Sequence, residues 1–307
     1  MISSFFDKTK PINYLVLLGA VLLLFLGVTL KHFGLQLSYS LIFERILALG
    51  ALLVTVFVLG DMAHTKKLTL NNSYSMLFFL LLLLCFPSSL KNTSSVFSSF
   101  FVLLSMNRAM ALKNEKTHKE KIFESTFWLF LSSLFFEWAL IFLVPLYISI
   151  YLFSGKQLRL WLMPIAALLC GSILAITAMI MFNGSISFID HYRFPVSLDF
   201  FLNPDYGFLC YAFLVLALIF IVFGKLGYRR LGRTLSLRLV FAYWMVGLII
   251  VITTGDYHNG LGQFSLIPAA IFGANFMETL KQKRIKELIM IFSILLPIVV
   301  LILWLWQ

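Results

Sequence analysis

The sequence predicts an all-α, polytopic integral membrane protein of about ten membrane segments, one of them a broken or re-entrant helix pair. Three observations carry this expectation. Apolar residues make up 61% of the 307 positions, with 33 Phe among them. Charged residues amount to 12%, against about a quarter in soluble domains, too few to cover a water-facing surface. The apolar runs also follow one another across short gaps. Residues 1–307 therefore read as a single membrane domain, although length alone suggests two soluble ones.

The elements follow in chain order. Lys8 and Lys10 precede Pro11–Leu30, about 20 apolar residues, enough to cross a bilayer and longer than a signal-peptide core. No small-x-small cleavage site follows, so the run reads as an anchor. Leu41–Gly60, Ser73–Leu90 and Val96–Leu112 come next, then the long stretch Phe127–Phe153. Leu160–Phe182, Gly207–Gly224, Leu237–Thr254, Leu261–Leu280 and Leu288–Trp306 complete the set. Lys113–Glu124 (KNEKTHKEKIFE) reads as a solvated connector between two of them. Asn183–Tyr206, rich in aromatics and acids, reads as a segment lying along the membrane surface.

Charge placement decides the path of Phe127–Phe153. If it turns back on itself and the N-terminus is cytoplasmic, 20 of the 24 Lys and Arg share the cytoplasmic side. Only Lys31, Arg45, Lys91 and Arg193 then face out, a strong positive-inside bias. Two half-length helices meeting at Phe136-Glu137-Trp138 would put Glu137 at their tip. A carboxylate deep in hydrocarbon needs protein or water around it. The competing reading is one continuous helix carrying a buried Glu137.

The net charge of +11 does not point to nucleic acid, because the basic residues sit in short clusters between apolar runs, where lipid head groups are the nearer partner. Cys85, Cys170 and Cys210 form no CxxC and read as buried structural thiols rather than a disulfide framework or zinc site. The five His are scattered, without HxxH, HxxxH or HExxH spacing. No metal and no cofactor is expected, and neither a Walker loop nor GxSxG nor a dinucleotide fingerprint is present.

The outer polar residues remain as candidates. Asp256 and His258, with Tyr257 and Asn259, have the chemistry to hold a cation or a sugar hydroxyl; a polar turn between two helices is the simpler reading. His191 beside Asp190 has the makings of a base and its partner, but adjacent residues rarely face each other on a helix. The aromatic load fits lipid contact and helix packing, or a groove for a polyisoprenoid lipid.

One order of features resembles a known family. The run from Arg45 to a Lys66-Lys67 pair is followed by a leucine-rich helix ending at Pro87, a Ser-rich turn and a helix ending at Arg108. After a basic loop comes FWLFLSSLFFEWALIFLVPLYISIYLF, then Lys-Gln-Leu-Arg. Over roughly Arg45–Trp161 this resembles the membrane core of the C-type glycosyltransferases, which use polyprenyl-phosphate-linked sugars. The resemblance implies an outer-face acid as general base. The first outer loop here, about Lys31–Ser40, has none, which leaves Glu44. It also implies cationic partners for a donor phosphate; Arg45, Lys91 and Arg193 are the outer basic residues available. The whole chain, including GQFSLIPAAIFGANFMETLKQKR, also resembles an uncharacterised bacterial multi-pass family.

Three function classes follow. One is a glycosyltransferase-like enzyme acting on lipid-linked sugars, with Glu44 as base. Another is a non-catalytic subunit scaffolding an envelope-assembly complex, with membrane lipids and other envelope proteins as partners. The last is a lipid or solute transporter using Glu137. All place the chain in a bacterial inner membrane.

Overall fold

A computed structural model describes residues 5–34, 38–113, 117–153, 155, 157–183, 192, 194, 196, 205–226, 231–254 and 262–306. Most of the described residues are helical, and no strand occurs among them. In order, the helices are α1 (Pro11–Phe33), α2 (Tyr39–Thr65), α3 (Tyr74–Cys85), α4 (Thr93–Ala111), α5 (His118–Phe135), α6 (Leu143–Phe153), α7 (Leu158–Asn183), α8 (Tyr206–Leu226), α9 (Leu231–Thr254), α10 (Gln263–Thr279) and α11 (Lys283–Trp306). Six of them, α1, α2, α7, α8, α9 and α11, are long and apolar enough to cross a membrane. This is the architecture of a polytopic membrane protein.

Local chemistry sets the breaks. Pro87 has no N–H to donate and restricts Phe86 before it; Phe86 leaves the helix at φ −124°, ψ 62°, and Pro87–Leu90 follows as a 3-10 turn. The expected single span Ser73–Leu90 is thus a helix plus a turn. Asn92 caps the next helix, its Oδ1 accepting from the Ser94 N–H at 3.0 Å.

The long stretch breaks where expected. Phe136 is extended, at φ −154°, ψ 112°, and Glu137–Phe142 continues as a 3-10 segment into α6. The first limb differs from the expectation. It starts at His118, nine residues before Phe127, so most of the supposed connector is helical. Charge pairing explains this: Glu124 binds Lys121 one turn earlier at 3.3 Å and Arg108 of α4 at 3.1 Å. The 18 residues of α5 give about 27 Å at 1.5 Å per residue, close to the hydrocarbon thickness of about 30 Å. The first limb is therefore longer than a half-helix, and the second is the six-residue 3-10 segment followed by the 11 residues of α6.

Helices α4 and α5 run antiparallel on a serine seam. Ser98 meets Ser132 at 2.7 Å and Ser105 meets Ser125 at 2.8 Å. Small residues let helices approach closely where lipid offers no hydrophobic drive, and the hydroxyls add bonds between them. The centre is α10, with 14 of its 17 residues buried. It crosses α9 at Gly247, where a Cβ would stand 3.0 Å from the Phe264 carbonyl carbon and the Ser265 nitrogen. Rings fill the space beside it: Phe142 lies 5.7 Å from Tyr243 and 5.6 Å from Phe264.

The rods alternate between two ends. Asp7, Lys67, Lys113, Lys225 and Lys281 mark one, the basic end. At the opposite end, among the described residues, Lys31, Arg45 and Lys91 are the only Lys or Arg. Cys170 and Cys210 are exposed, which corrects the expectation of buried thiols. Both lie on helices with little buried surface: only 17% of the apolar window of α7 and 28% of that of α8 are covered.

Candidate functional site

The opposite end holds the residues expected to do chemistry. Arg45 is buried in the first turns of α2. The 3-10 turn behind Pro87 leaves carbonyls without helical donors, and Arg45 answers them with its planar fork. Its Nη1 donates to the Leu90 carbonyl at 3.0 Å, its Nη2 to that of Lys91, and its guanidinium stacks 4.3 Å from the Phe33 ring centre. Glu44 next to it is exposed, on the face that also carries Leu47. Lys91 is half-buried and lines a hollow of about 220 Å³ with Lys31, His32 and Trp304. Arg45 and Lys91 are thus brought together, but through the Lys91 carbonyl and not its ammonium. Arg193 lies outside the described residues.

Glu137 opens the 3-10 segment at the tip of the α5 return and is half-buried. The serine register extends to it: Ser98 opposite Ser132 and Ser105 opposite Ser125 set Glu137 level with Thr93, at the helix-pair end. Nearby, the Tyr192 hydroxyl lies 3.0 Å from Ser133 Oγ. Asp190, His191, Asp256 and His258 lie outside the described residues.

The basic end holds a polar cluster that sequence reading missed. Arg233 of α9 pairs with Glu278 of α10; their side chains are 13% and 7% exposed. Arg233 Nη2 also donates to Asn275 Oδ1 at 2.6 Å, and its Nε to the Leu68 carbonyl at 3.0 Å. Glu278 Oε1 accepts from the Leu70 N–H at 2.6 Å and from Asn72 Nδ2 at 2.7 Å. The cluster borders a cleft of about 790 Å³ that Lys225, Lys281 and Gln282 also line. A signal existed in the sequence: Asn275 and Glu278 sit at i,i+3 on an apolar helix, and Arg233 follows a helix start. Beside this cleft Lys113 donates to the Gly232 carbonyl at 2.8 Å. Burial, and then the charge of Lys67, hold its ammonium below the usual lysine range.

A third polar contact fixes the start of α10. Gln263 accepts from Ser99 Oγ at 2.9 Å and donates to the Ser89 carbonyl at 2.9 Å. Among the described residues, no group of three His, Cys, Asp or Glu is placed to hold a metal.

Fold and polar contacts together define an all-helical membrane protein whose internal charges tie helices to loops. No protein-family model matches the chain, and no significant match is found among curated proteins or solved structures.

Proposed function

We propose that this chain is a non-catalytic multi-pass subunit of an envelope-assembly complex in a bacterial inner membrane, with its N-terminus and basic end in the cytoplasm. The observation that carries the reading is Arg45. An enzyme of the C-type would turn that cation towards a donor phosphate; here it is spent on the Leu90 and Lys91 carbonyls, while Glu44 faces outwards beside it. Arg233, Glu278 and Gln263 are likewise engaged in joining elements. The positive-inside bias supports the orientation. Broad apolar faces on α7 and α11, including Leu162, Ile165, Leu169 and Ile173 at helical spacing, are available to lipid and to neighbouring helices.

Complementation in the native host, with abundance followed by immunoblot, tests this reading. Glu44→Gln is expected to complement fully at unchanged abundance. Arg45→Gln is expected to lose abundance, because the buried Leu90 carbonyl and the half-buried Lys91 carbonyl lose a charged donor, worth about 1.5–3 kcal/mol per buried bond. Loss of function by Glu44→Gln at normal abundance would instead support the glycosyltransferase-like reading, with Glu44 as base and Arg45, Lys91 and Arg193 at a lipid-linked phosphate. Removing a general base commonly costs about 10²–10⁴ in rate.

A further inference from the structure

Helix α11 is the least enclosed candidate span: 11% of its apolar window is buried. Both its ends are tied to the body. At the basic end Lys286 binds Asp7 at 2.8 Å. At the opposite end Lys31 of α1 donates to the Trp304 carbonyl, with its ammonium 4.1 Å from the indole centre. Between the ties, α1 and α11 stand apart around an apolar groove of about 360 Å³, lined among others by Leu23, Gly27, Leu84, Leu301 and Leu305.

Trp304 lines this groove and also the hollow of Lys31, His32 and Lys91 above it. Two cations and an imidazole therefore crown an apolar channel, and among the described residues no acid lines either part. The lining on α1 runs from Ala20 to Lys31, about 16 Å along the axis, which is half of a hydrocarbon core of about 30 Å. The channel is one leaflet deep, with a tryptophan at its mouth, where such rings settle in bilayers. An ammonium has three donors; Lys31 uses one on Trp304. At Gly27 nothing lies within 4 Å of where a Cβ would be, so the groove is open there down to the helix backbone.

We propose that this groove seats one anionic phospholipid. Its phosphate rests on Lys31, His32 and Lys91, and one acyl chain lies along Leu23, Gly27, Leu84 and Leu301. Charge decides the class: a zwitterionic head group brings its own cation to a site that already holds two, whereas an anionic one does not. The lipid also covers apolar surface between α1 and α11, wedging the outlying helix against the body.

The test uses the full-length protein in mild detergent, washed free of lipid. It is titrated with dioleoylphosphatidylglycerol, with dioleoylphosphatidylcholine and with inorganic phosphate, and followed by native mass spectrometry and thermal unfolding. A one-to-one adduct with phosphatidylglycerol and a raised melting temperature are expected, with phosphatidylcholine weaker by at least about tenfold, the worth of one charge-assisted hydrogen bond. Inorganic phosphate alone is expected to leave the melting temperature unchanged. Gly27→Phe should fill the channel and abolish the adduct. Lys91→Gln should weaken phosphatidylglycerol about tenfold and narrow its advantage over phosphatidylcholine. It does not touch the channel, so it keeps the test decisive should the bulky variant unfold. Equal binding of the two lipids, or an adduct that survives Lys91→Gln at full strength, would overturn the proposal. So would a stabilisation reproduced by phosphate alone, which would mark a free-anion site.

Discussion

At the scale of single residues, the charges buried in this protein hold loops against helices. Arg233 and Glu278 are the strongest case. Breaking a buried pair leaves the other charge uncompensated. Arg233→Met is therefore expected to destabilise the protein by about 3–5 kcal/mol, and adding Glu278→Leu should recover part of that loss. Unfolding in mixed micelles at increasing SDS fraction measures both. At the protein's edge, Asp7 accepts from Lys286 at 2.8 Å and from the Tyr74 hydroxyl at 3.2 Å. The Lys286 hydrogen bond, opposed by partial burial, holds its carboxyl below the usual range. A depressed carboxylate stabilises the fold above its ordinary range and loses that contribution as pH falls through its native value. Asp7→Asn is thus expected to flatten the acid limb of a melting-temperature profile. The candidate residues were only partly legible in sequence. Arg45 stood out as an outer cation, but its partners are backbone carbonyls of a turn 45 residues away. No side-chain pattern announces such a partner. Glu278 was passed over because a lone acid near a basic cluster resembles a solvated helix end.

At the scale of elements, backbone proximity and hydroxyl seams decide what tolerates change. Gly247 meets backbone, which cannot step aside, so Gly247→Ala is expected to cost about 1–3 kcal/mol through overpacking. Gly27→Ala meets open space and should stabilise α1 by about 0.5–1 kcal/mol, the cost of glycine within a helix. The two variants differ in chemistry by the same methyl group, and parallel melts separate them by sign. Along the seam, Ser98→Ala should lose about 0.6 kcal/mol, the usual worth of a hydrogen bond between membrane helices. The helix order and the break at Phe136 were readable from apolar runs and charge balance. The length of the first return limb was not. KNEKTHKEKIFE looks like a charged connector until Arg108 of the neighbouring helix supplies the partner of Glu124. The kink behind Pro87 followed from the residue itself, yet an apolar run does not say where a helix inside it stops.

At the scale of the whole molecule, the legible feature was the division of charge. It separates the rod ends into a basic set and a set with few cations, and the described structure alternates its helices between the same two sets. That division was readable because orientation signals lie in short links next to apolar runs, where sequence position and membrane side are coupled. Position along the helix pair was harder to read: Glu137 sits midway in its apolar stretch of sequence, and the serine register sets it at the end of the helix pair. The arrangement is tested most directly by single cysteines at Asn92, Lys119, Glu137 and Gln157, in a chain whose Cys85, Cys170 and Cys210 are replaced. Intact cells are treated with a membrane-impermeant maleimide. Labelling at positions 92 and 137 is expected, with 119 and 157 protected until the cells are opened. Labelling at 157 from outside, with 119 protected, would mean that the stretch crosses once as a continuous helix, and would contradict the returning pair on which the whole arrangement rests.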